Sequence, residues 1–510
     1  MKQFDKWMKT VDDEPISGAS KAWIYEFMIL AYLRWPFLVY NFSVNSVLPM
    51  EKTATRYLKS WYGAHKSFNP SVLYLPRSDH GLGITSISTC LKSMQITARS
   101  LAKHSTDTVT SGVYTLVQNA EAKSQSNQWR PTQELESIER QLQFKADFGG
   151  QSSRLGLGYN TKATYKSGSR KQRRKLATAH LKRKEAERLK LELLKLSRNC
   201  DFVKWDKIQA TNRDWSGQIF LMPPETLSFI LNQQAGTLPS PSNLRRWGAD
   251  CAAWNCPLCG KFGATAKHIL SNCYAALIQG RYTWRHDEVL ATLAKHLLGL
   301  VKTANRATPR SRPIPAITKS FVRAGARSEP QRSKYKPRTL LEQANDWIVL
   351  IDGIPKRIAF PRCTGVDSNL RPDIMIYSKS RKVMIWAELT VPLEENVVDA
   401  EIRKTKRYLK LAETLRAKEW TVHPFTIEVG SLGWIADSTS KFLRSVGFNR
   451  RQSLWIKKQL SLSASRSSFL IWCSRFDKKW EKAERTLSAT PALSESQREA
   501  LQLLGSIVPT

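Results

Sequence analysis

Hydrophobic positions follow a helical period in the first part of the chain and form short apolar runs in the last part. The aromatic-rich stretch 15–62, the segment Lys166–Arg198 and four apolar positions between 289 and 300 predict helices. The runs IMIY and KVMIW, on either side of the polar SKSR, predict an antiparallel hairpin. We therefore expect a mixed α/β protein with a helical N-terminal half.

Several stretches lack a clear period. Residues 69–88 predict a strand and a turn, 102–165 read as polar and irregular, and the C-terminal SSFLIWCSRFDKKW predicts a strand. Proline, arginine, serine and glycine between 303 and 338 predict a flexible basic linker. The resulting division of the chain is 1–62, 63–165, 166–235, 236–302, 303–340, 341–448 and 449–510.

The longest apolar run extends from Trp23 to Phe42 and contains Glu26, Arg34 and Pro36. These interruptions favour a buried helix over a membrane span. The first residues lack the apolar stretch of a signal peptide, so we expect a reducing compartment and no disulfide framework. The eight cysteines then require burial or metal ligation as their explanation.

Charge identifies the expected partner. The chain has 80 lysines and arginines against 43 aspartates and glutamates, a formal charge of +37, which favours nucleic acid. A membrane surface is the competing anionic partner. The basic helix candidate could be a solvated charged face, but its basic excess favours phosphate contact. Its candidate contacts are Arg173, Arg174, Lys175, Lys182, Arg183 and Lys184.

The stretch CPLCGKFGATAKHILSNC has the spacing of a zinc knuckle. Cys256, Cys259, His268 and Cys273 are separated by two, eight and four residues, so that four ligands can converge tetrahedrally on one ion. The alternative, a chance cluster of buried free cysteines, does not account for this spacing. Cys251 is a less regular substitute ligand. We expect a structural Zn²⁺ on which the folding of this module depends.

Three polar residues follow the knuckle. Arg285 and His286 are candidates for contact with the nucleic-acid backbone, and we expect Asp287 to lie near a helix N-terminus, where a carboxylate is stabilised.

The predicted hairpin places two carboxylates together. If its turn centres on Ser380 and Arg381, Asp373 lies opposite Glu388 on one face. Such a pair suits a divalent metal, with Mg²⁺ expected, for phosphodiester hydrolysis. A chance Pro-Asp turn and an exposed strand-end glutamate are the alternative. Nucleases of this layout usually carry a lysine two residues after the second acid, where this chain has Thr390.

Five motifs occur in a fixed order: CPLCGKFGATAKHILSNC, RYTWRHDEVL, RPDIMIY, AELTVPLEENVVDAEIRKTKRY and IEVGSLGWIADS. Together they resemble the C-terminal part of non-LTR retrotransposon proteins of the restriction-like-endonuclease class, such as the ribosomal-DNA-specific elements. Residues 57–88 also look like the thumb of their reverse transcriptases and the segment after it. The resemblance covers most of the chain.

The resemblance implies a zinc knuckle followed by a PD-(D/E)xK nuclease that nicks target DNA, whose 3′-hydroxyl then primes reverse transcription of element RNA. It implies a nuclear protein with Zn²⁺ and Mg²⁺, with DNA and element RNA as partners and no membrane, and it leaves the oligomeric state open. The polymerase palm is absent, so reverse transcription is not expected. Ser431 and Leu432 replace a cysteine and an arginine of the family, and the alternative is an inactive remnant that only binds nucleic acid.

The resemblance also implies where the lysine lies. The family's basic-plus-tyrosine helix motif matches RKTKRY, which assigns Lys404 to the catalytic position beside Asp373 and Glu388, with Tyr408 one turn away. A solvated lysine is the alternative for Lys404, and Lys406 is its nearest rival. Glu428 is a further accessory candidate. The helix itself should pack an apolar stripe formed by Val398, Ile402, Leu409 and Ala412 on the sheet, with Lys404 and Tyr408 beside it.

Overall fold

The computed structural model describes residues 2–123, 129–144, 165, 167–196, 201–205, 218–306, 339–353 and 359–480. Two compact units divide them, the first formed by the residues up to 203 together with 219–237, the second by the remainder. Most of the predicted linker 303–340 lies outside the described residues.

The first unit contains helices and turns, and its described residues include no strand. Its helices are α1 Lys2–Asp13, α2 Gly18–Ile24, a π-helical turn Tyr25–Ile29, α3 Leu30–Val39, α4 Val44–Trp61, α5 Ser71–Tyr74, α6 Ile87–Lys103, α7 Thr108–Lys123, α8 Pro131–Phe144, α9 Arg170–Leu194 and α10 Pro224–Gln234. The helical N-terminal half is therefore confirmed.

Helix α9 confirms the predicted basic helix. Ser169 caps it through a reciprocal capping box with Gln172. Its apolar positions Ala177 and Leu181 pack with Ile96 of α6 and Ile138 of α8 in one cluster. One face of α9 is thus part of the core, which leaves the rest of its circumference to the basic residues.

Two predictions for the first unit are wrong. Residues 69–88 form the short helix α5, a 3-10 turn and the start of α6 instead of a strand, because their apolar residues fill a core between turns. The stretch 102–165, predicted to be irregular, contains α7 and α8. These helices are amphipathic, but they bury few residues, such as Leu135 and Ile138, so their apolar period is hard to see in the sequence.

The apolar run at 23–42 is only partly buried. Tyr25, Leu30 and Phe37 lie in the core, whereas Tyr32 and Trp35 are 67% and 69% exposed, so the expectation of a buried helix is wrong for the outer face. Among the described residues, Gly18–Val39 is the one helical stretch whose length and apolar composition would suffice to cross a membrane. The core helix of a soluble protein meets the same criteria.

The second unit is built on a four-stranded mixed sheet. Strands β1 Trp347–Ile351, β2 Ile374–Ser378, β3 Val383–Thr390 and β4 Thr421–Glu428 lie in the order β1-β2-β3-β4. The first two pairings are antiparallel and the third is parallel. The helices are α11 Pro241–Arg246, a π-helical turn His268–Asn272, α12 Tyr274–Ile278, α13 Arg281–Arg306, α14 Val397–Ala417, α15 Asp437–Val446 and α16 Arg450–Cys473.

Helices cover both faces of this sheet. On one face Ile376, Ile385 and Ile427 pack in a core with α13, α15 and α16. On the other face Met375 and Trp386 pack in a second core with α14. Successive strand residues point to opposite faces, so both faces are apolar and β2 and β3 are buried throughout. The sheet is thereby fixed between two helical layers.

Three local predictions for this unit are wrong. The C-terminal FLIW run ends helix α16 and forms no strand, because small buried residues such as Ser465 and Ser468 let this helix pack closely. Helix α13 begins at Arg281, so Asp287 lies in its second turn and not at its N-terminus. The predicted apolar stripe of α14 is wrong at Ile402 and Leu409, whose side chains are exposed.

Candidate functional site

The hairpin of β2 and β3 has the predicted register. Ile374 pairs with Ala387, which sets Asp373, directly before β2, opposite Glu388. The Asp373 backbone N–H lies 3.3 Å from Glu388 Oε2, and Leu389 N–H donates to Asp373 Oδ2 at 2.7 Å. The two carboxylates are therefore held together at the end of the hairpin by backbone pairing.

Helix α14 supplies a lysine and a tyrosine to the same carboxylate. Lys404 Nζ donates to Glu388 Oε1, and the Tyr408 hydroxyl donates to Glu388 Oε2 at 2.8 Å. One helical turn separates the two donors, which places both on the side of α14 that faces the sheet. Lys406, the rival lysine, is exposed on another side of this helix.

Burial destabilises the ionised form of the Glu388 carboxyl group. Burial and the neighbouring Asp373 raise the pKa of Glu388, and the hydrogen bonds from Lys404 and Tyr408 oppose the rise. Burial and the Glu388 carboxylate raise the pKa of Tyr408 well above its ordinary value, so the phenol keeps its proton and donates. The site thus contains two acids close together, with the ammonium group of Lys404 in direct contact with Glu388.

Helix α13 adds a histidine that sequence reasoning assigned to the nucleic-acid backbone. His286 Nε2 lies 3.4 Å from Asp373 Oδ2, and its Nδ1 lies 3.1 Å from Asp287 Oδ1. Burial opposes protonation of His286, but hydrogen bonds to the Asp287 and Asp373 carboxylates outweigh it and raise its pKa to about 10. The imidazolium therefore orients Asp373, a role that no spacing in the sequence indicates.

Glu428 lies near this site without contacting it. It ends β4 beside Thr390, the residue in the vacated lysine position, and is fully buried. Glu428 Oε2 accepts a hydrogen bond from Ser438, whereas Oε1 has no partner in the described part of the chain. Burial raises the pKa of Glu428 to about 7. Glu428 is therefore a neutral neighbour of the carboxylate pair at slightly acidic pH.

The predicted zinc ligands converge. Cys256 Sγ and Cys273 Sγ are 3.9 Å apart, Cys259 Sγ and His268 Nε2 are 3.2 Å apart, and all four ligand atoms lie within 4.8 Å of one another. Zn–S bonds of about 2.3 Å at tetrahedral angles place sulfurs ~3.8 Å apart, so the donor set fits a structural zinc. Within the described residues, no other group of three or more such ligands converges. Cys251 remains outside the cluster.

Arg285 is structural, which corrects its assignment as a phosphate contact. Its side chain is buried, and its guanidinium donates to the Leu270 carbonyl at 3.1 Å, the Ser468 hydroxyl at 3.1 Å and the Val391 carbonyl at 3.0 Å. These acceptors belong to the knuckle, to α16 and to the segment after β3. Arg285 therefore joins three parts of the second unit and is not accessible to a ligand.

The basic residues of α9 differ in their surroundings. Lys175, Lys182, Arg183 and Lys184 are exposed, and Arg173 and Arg174 are half-buried. Lys184 is 2.7 Å from Glu134, and Arg173 Nε donates to the Gly168 carbonyl at 3.0 Å. Phosphate contact from this helix stays a prediction for all six residues.

Comparisons with known proteins add no assignment. No protein-family description matches the chain, and no curated protein matches it significantly. Function must therefore be inferred from the geometry of these two sites and from the charge of the chain.

Proposed function

We propose that the second unit is a metal-dependent DNA endonuclease of the PD-(D/E)xK type. The observation that supports it best is the contact of Lys404 with Glu388, at the hairpin end where Asp373 and Glu388 are paired. A lysine from a neighbouring helix then occupies the position that Thr390 leaves vacant. The two acids could hold a metal ion and the lysine could stabilise charge on the phosphate, and both roles serve metal-assisted phosphodiester hydrolysis.

Each residue has a distinct role in this proposal. Asp373 and Glu388 would hold Mg²⁺, an ion commonly bound by one or two carboxylates together with water and substrate phosphate. When bound, the ion would polarise the scissile phosphate and acidify a water. Lys404 orients the attacking water or stabilises charge on the phosphate oxygens. Tyr408 positions Glu388 through its hydrogen bond, and His286 positions Asp373 through the ion pair described above.

The remainder of the proposal follows the resemblance. The Cys3His cluster would be a zinc knuckle, and the chain would act in the nucleus, nicking target DNA for target-primed reverse transcription. Its formal charge of +37 supports a nucleic-acid partner, either DNA or element RNA.

A nicking assay on supercoiled DNA with Mg²⁺ tests the activity. Asp373→Asn and Glu388→Gln keep the size and shape of each side chain and remove its charge, so they should abolish nicking without unfolding the unit. DNA affinity should persist, because neither acid attracts phosphate without its ion. Nicking by either variant at the parental rate would refute the assignment of these ligands.

Two matched alanine variants test the assignment of Lys404. Lys404→Ala should lower the nicking rate by about 100-fold, the order that general acid–base or charge-stabilising groups contribute. Lys406→Ala, two residues away and exposed, removes the same charge and should leave the rate near that of the parent. Equal rates for both variants and the parent would show that Lys404 is not catalytic.

A nucleic-acid-binding protein without nuclease activity is the second candidate, supported by the substitutions at Ser431 and Leu432. If the parent binds DNA with the expected salt dependence but nicks no supercoiled, single-stranded or branched substrate, this candidate replaces the first.

A further inference from the structure

A groove of about 880 Å³ opens beside the carboxylate pair. Helix α14 forms one wall, α15 forms the other, and the outer edge of β4 forms the floor at Pro424 and Phe425. Glu388 and Lys404 also line it, so the groove is continuous with the proposed catalytic site. We propose that it binds one strand of a polynucleotide leading away from the scissile phosphate. This inference rests on the proposed function for the position of that phosphate.

Charge is distributed unevenly along the groove. Since α14 connects the parallel strands β3 and β4, it runs back from the carboxyl end of β3, and Arg416 near its C-terminus lies far from Glu388. On the opposite wall Lys441 and Arg444 are one turn apart on α15. The side chains of these three cations line the groove and are exposed, and none of them has a hydrogen-bond or ion-pair partner among the described residues.

The acidic residues of the groove lie at its other end. Glu401 is near the start of α14, and Asp437 is the first residue of α15. The groove thus passes from a carboxylate-rich end, where a divalent cation would bind, to an arginine-rich end. A phosphodiester strand fits this order, because its scissile phosphate needs a cation and its following phosphates need arginine or lysine.

Length and shape favour a single strand. Lys404 and Arg416 are twelve residues apart on one helix, or ~18 Å at ~1.5 Å per residue. This length allows several consecutive phosphates of one strand to lie along the groove. Pro424 and Phe425 offer apolar surface to bases between the two basic walls. A groove of 880 Å³ is too small to enclose a duplex.

The test measures binding of the full chain to a fluorescent oligonucleotide between 0.1 and 1 M salt. In the triple variant Arg416→Gln, Lys441→Gln, Arg444→Gln, each lost phosphate contact should lower the slope of log K against log salt by about 0.7 for a single strand. The total decrease is about 2, or roughly 100-fold weaker binding at 0.1 M salt if the affinities converge at 1 M. An unchanged slope would overturn the proposal.

A matched control separates a groove contact from general loss of charge. Lys379→Gln, Arg381→Gln, Lys410→Gln removes three exposed cations that do not line the groove. This control should lose no more than ~10-fold in affinity at 0.1 M salt. Equal losses in both triple variants would overturn the assignment to the groove. Glutamine preserves the aliphatic part of the exposed side chains, and circular dichroism before titration selects folded samples.

Three probes distinguish the sources of the strand: single-stranded DNA, single-stranded RNA of the same sequence, and duplex DNA. Losses confined to either single-stranded probe support the groove and identify its ligand, whereas a loss confined to duplex overturns the single-strand proposal. Nicking by the parent reports separately on catalysis. If the parent never nicks but the groove triple variant has the lower salt slope, the nuclease function is refuted and the strand-binding groove is supported. If the parent nicks normally and the salt slope of the groove variant is unchanged, the groove proposal is refuted and the nuclease function is supported.

Discussion

Glu428 offers a sharp test of the electrostatics of the second unit. The residue is fully buried, and one of its carboxylate oxygens has no hydrogen-bond partner among the described residues. Ionisation therefore leaves a poorly compensated charge in the interior. We expect Glu428→Gln, which keeps the shape and removes the ionisation, to stabilise the protein at alkaline pH and to leave its stability nearly unchanged at acid pH.

The magnitude follows from the pKa of Glu428, which burial raises from 4.5 to about 7. Because the folded state binds this proton more tightly than the unfolded state, the contribution to stability is fully present below pH ~4.5 and is lost as the pH rises to ~7. At about 1.4 kcal/mol for each pKa unit, the loss is about 3 kcal/mol. Glu428→Gln does not undergo this loss.

Urea unfolding at pH 4.5, 6, 7 and 8, followed by far-ultraviolet circular dichroism, measures the difference between variant and parent. The free energy of unfolding of Glu428→Gln should equal that of the parent at pH 4.5 and exceed it by about 3 kcal/mol at pH 8. Glu413→Gln, an exposed neutralisation on α14, is the control and should show no such trend. A constant difference between Glu428→Gln and the parent across this range would refute the reasoning.

Two further predictions concern the knuckle and its attachment. Native mass spectrometry should show one tightly held zinc that is lost in the double variant Cys256→Ser, Cys259→Ser; stoichiometric zinc in that variant would place the metal elsewhere. Arg285→Ala should lower the free energy of unfolding by roughly 3 kcal/mol, because it removes two buried hydrogen bonds and one partly buried hydrogen bond and opens a cavity. Thermal denaturation measures this loss, and a midpoint equal to that of Arg403→Ala, an exposed control, would contradict it.

The hairpin and the knuckle were predictable because their geometry is local. Period-two alternation fixes which residues of two paired strands face each other, so Asp373 and Glu388 could be placed together from a turn position alone. Cys256 and Cys259 share a short loop, and their spacing restricts the ligands to one ion. Both predictions required no knowledge of how distant helices pack.

Helix α14 shows why the remainder was harder. The apolar stripe was drawn through Ile402 and Leu409, both exposed, whereas the side facing the sheet carries Lys404, Tyr408 and Leu411. A residue that serves a site takes a core-facing position without being hydrophobic, so it breaks the pattern on which the prediction depends. Only the resemblance predicted that Lys404 would reach the carboxylates, and this lysine contacts Glu388.

The position of His286 depends on tertiary structure in another way. Its contact with Asp373 joins residues far apart in sequence, and no local signal marks it. An expectation of a helix start near Arg285 led instead to a surface role for both residues. The helix begins one turn earlier, at Arg281. Arg285 therefore lies within the helix and is buried, and His286 faces the carboxylates.

Helix α13 has a consequence for how the two centres behave together. Within two turns, Tyr282 accepts from the Cys273 backbone N–H at 3.0 Å, Arg285 donates to Leu270, and His286 contacts Asp373. The knuckle and the carboxylate end of the sheet therefore both contact the first two turns of α13. Thermodynamic reciprocity then requires that zinc binding change the affinity of Asp373 for its ligand by the same factor by which that ligand changes the affinity of the knuckle for zinc. Loss of zinc should therefore change ligand affinity at the carboxylates while the sheet is still folded.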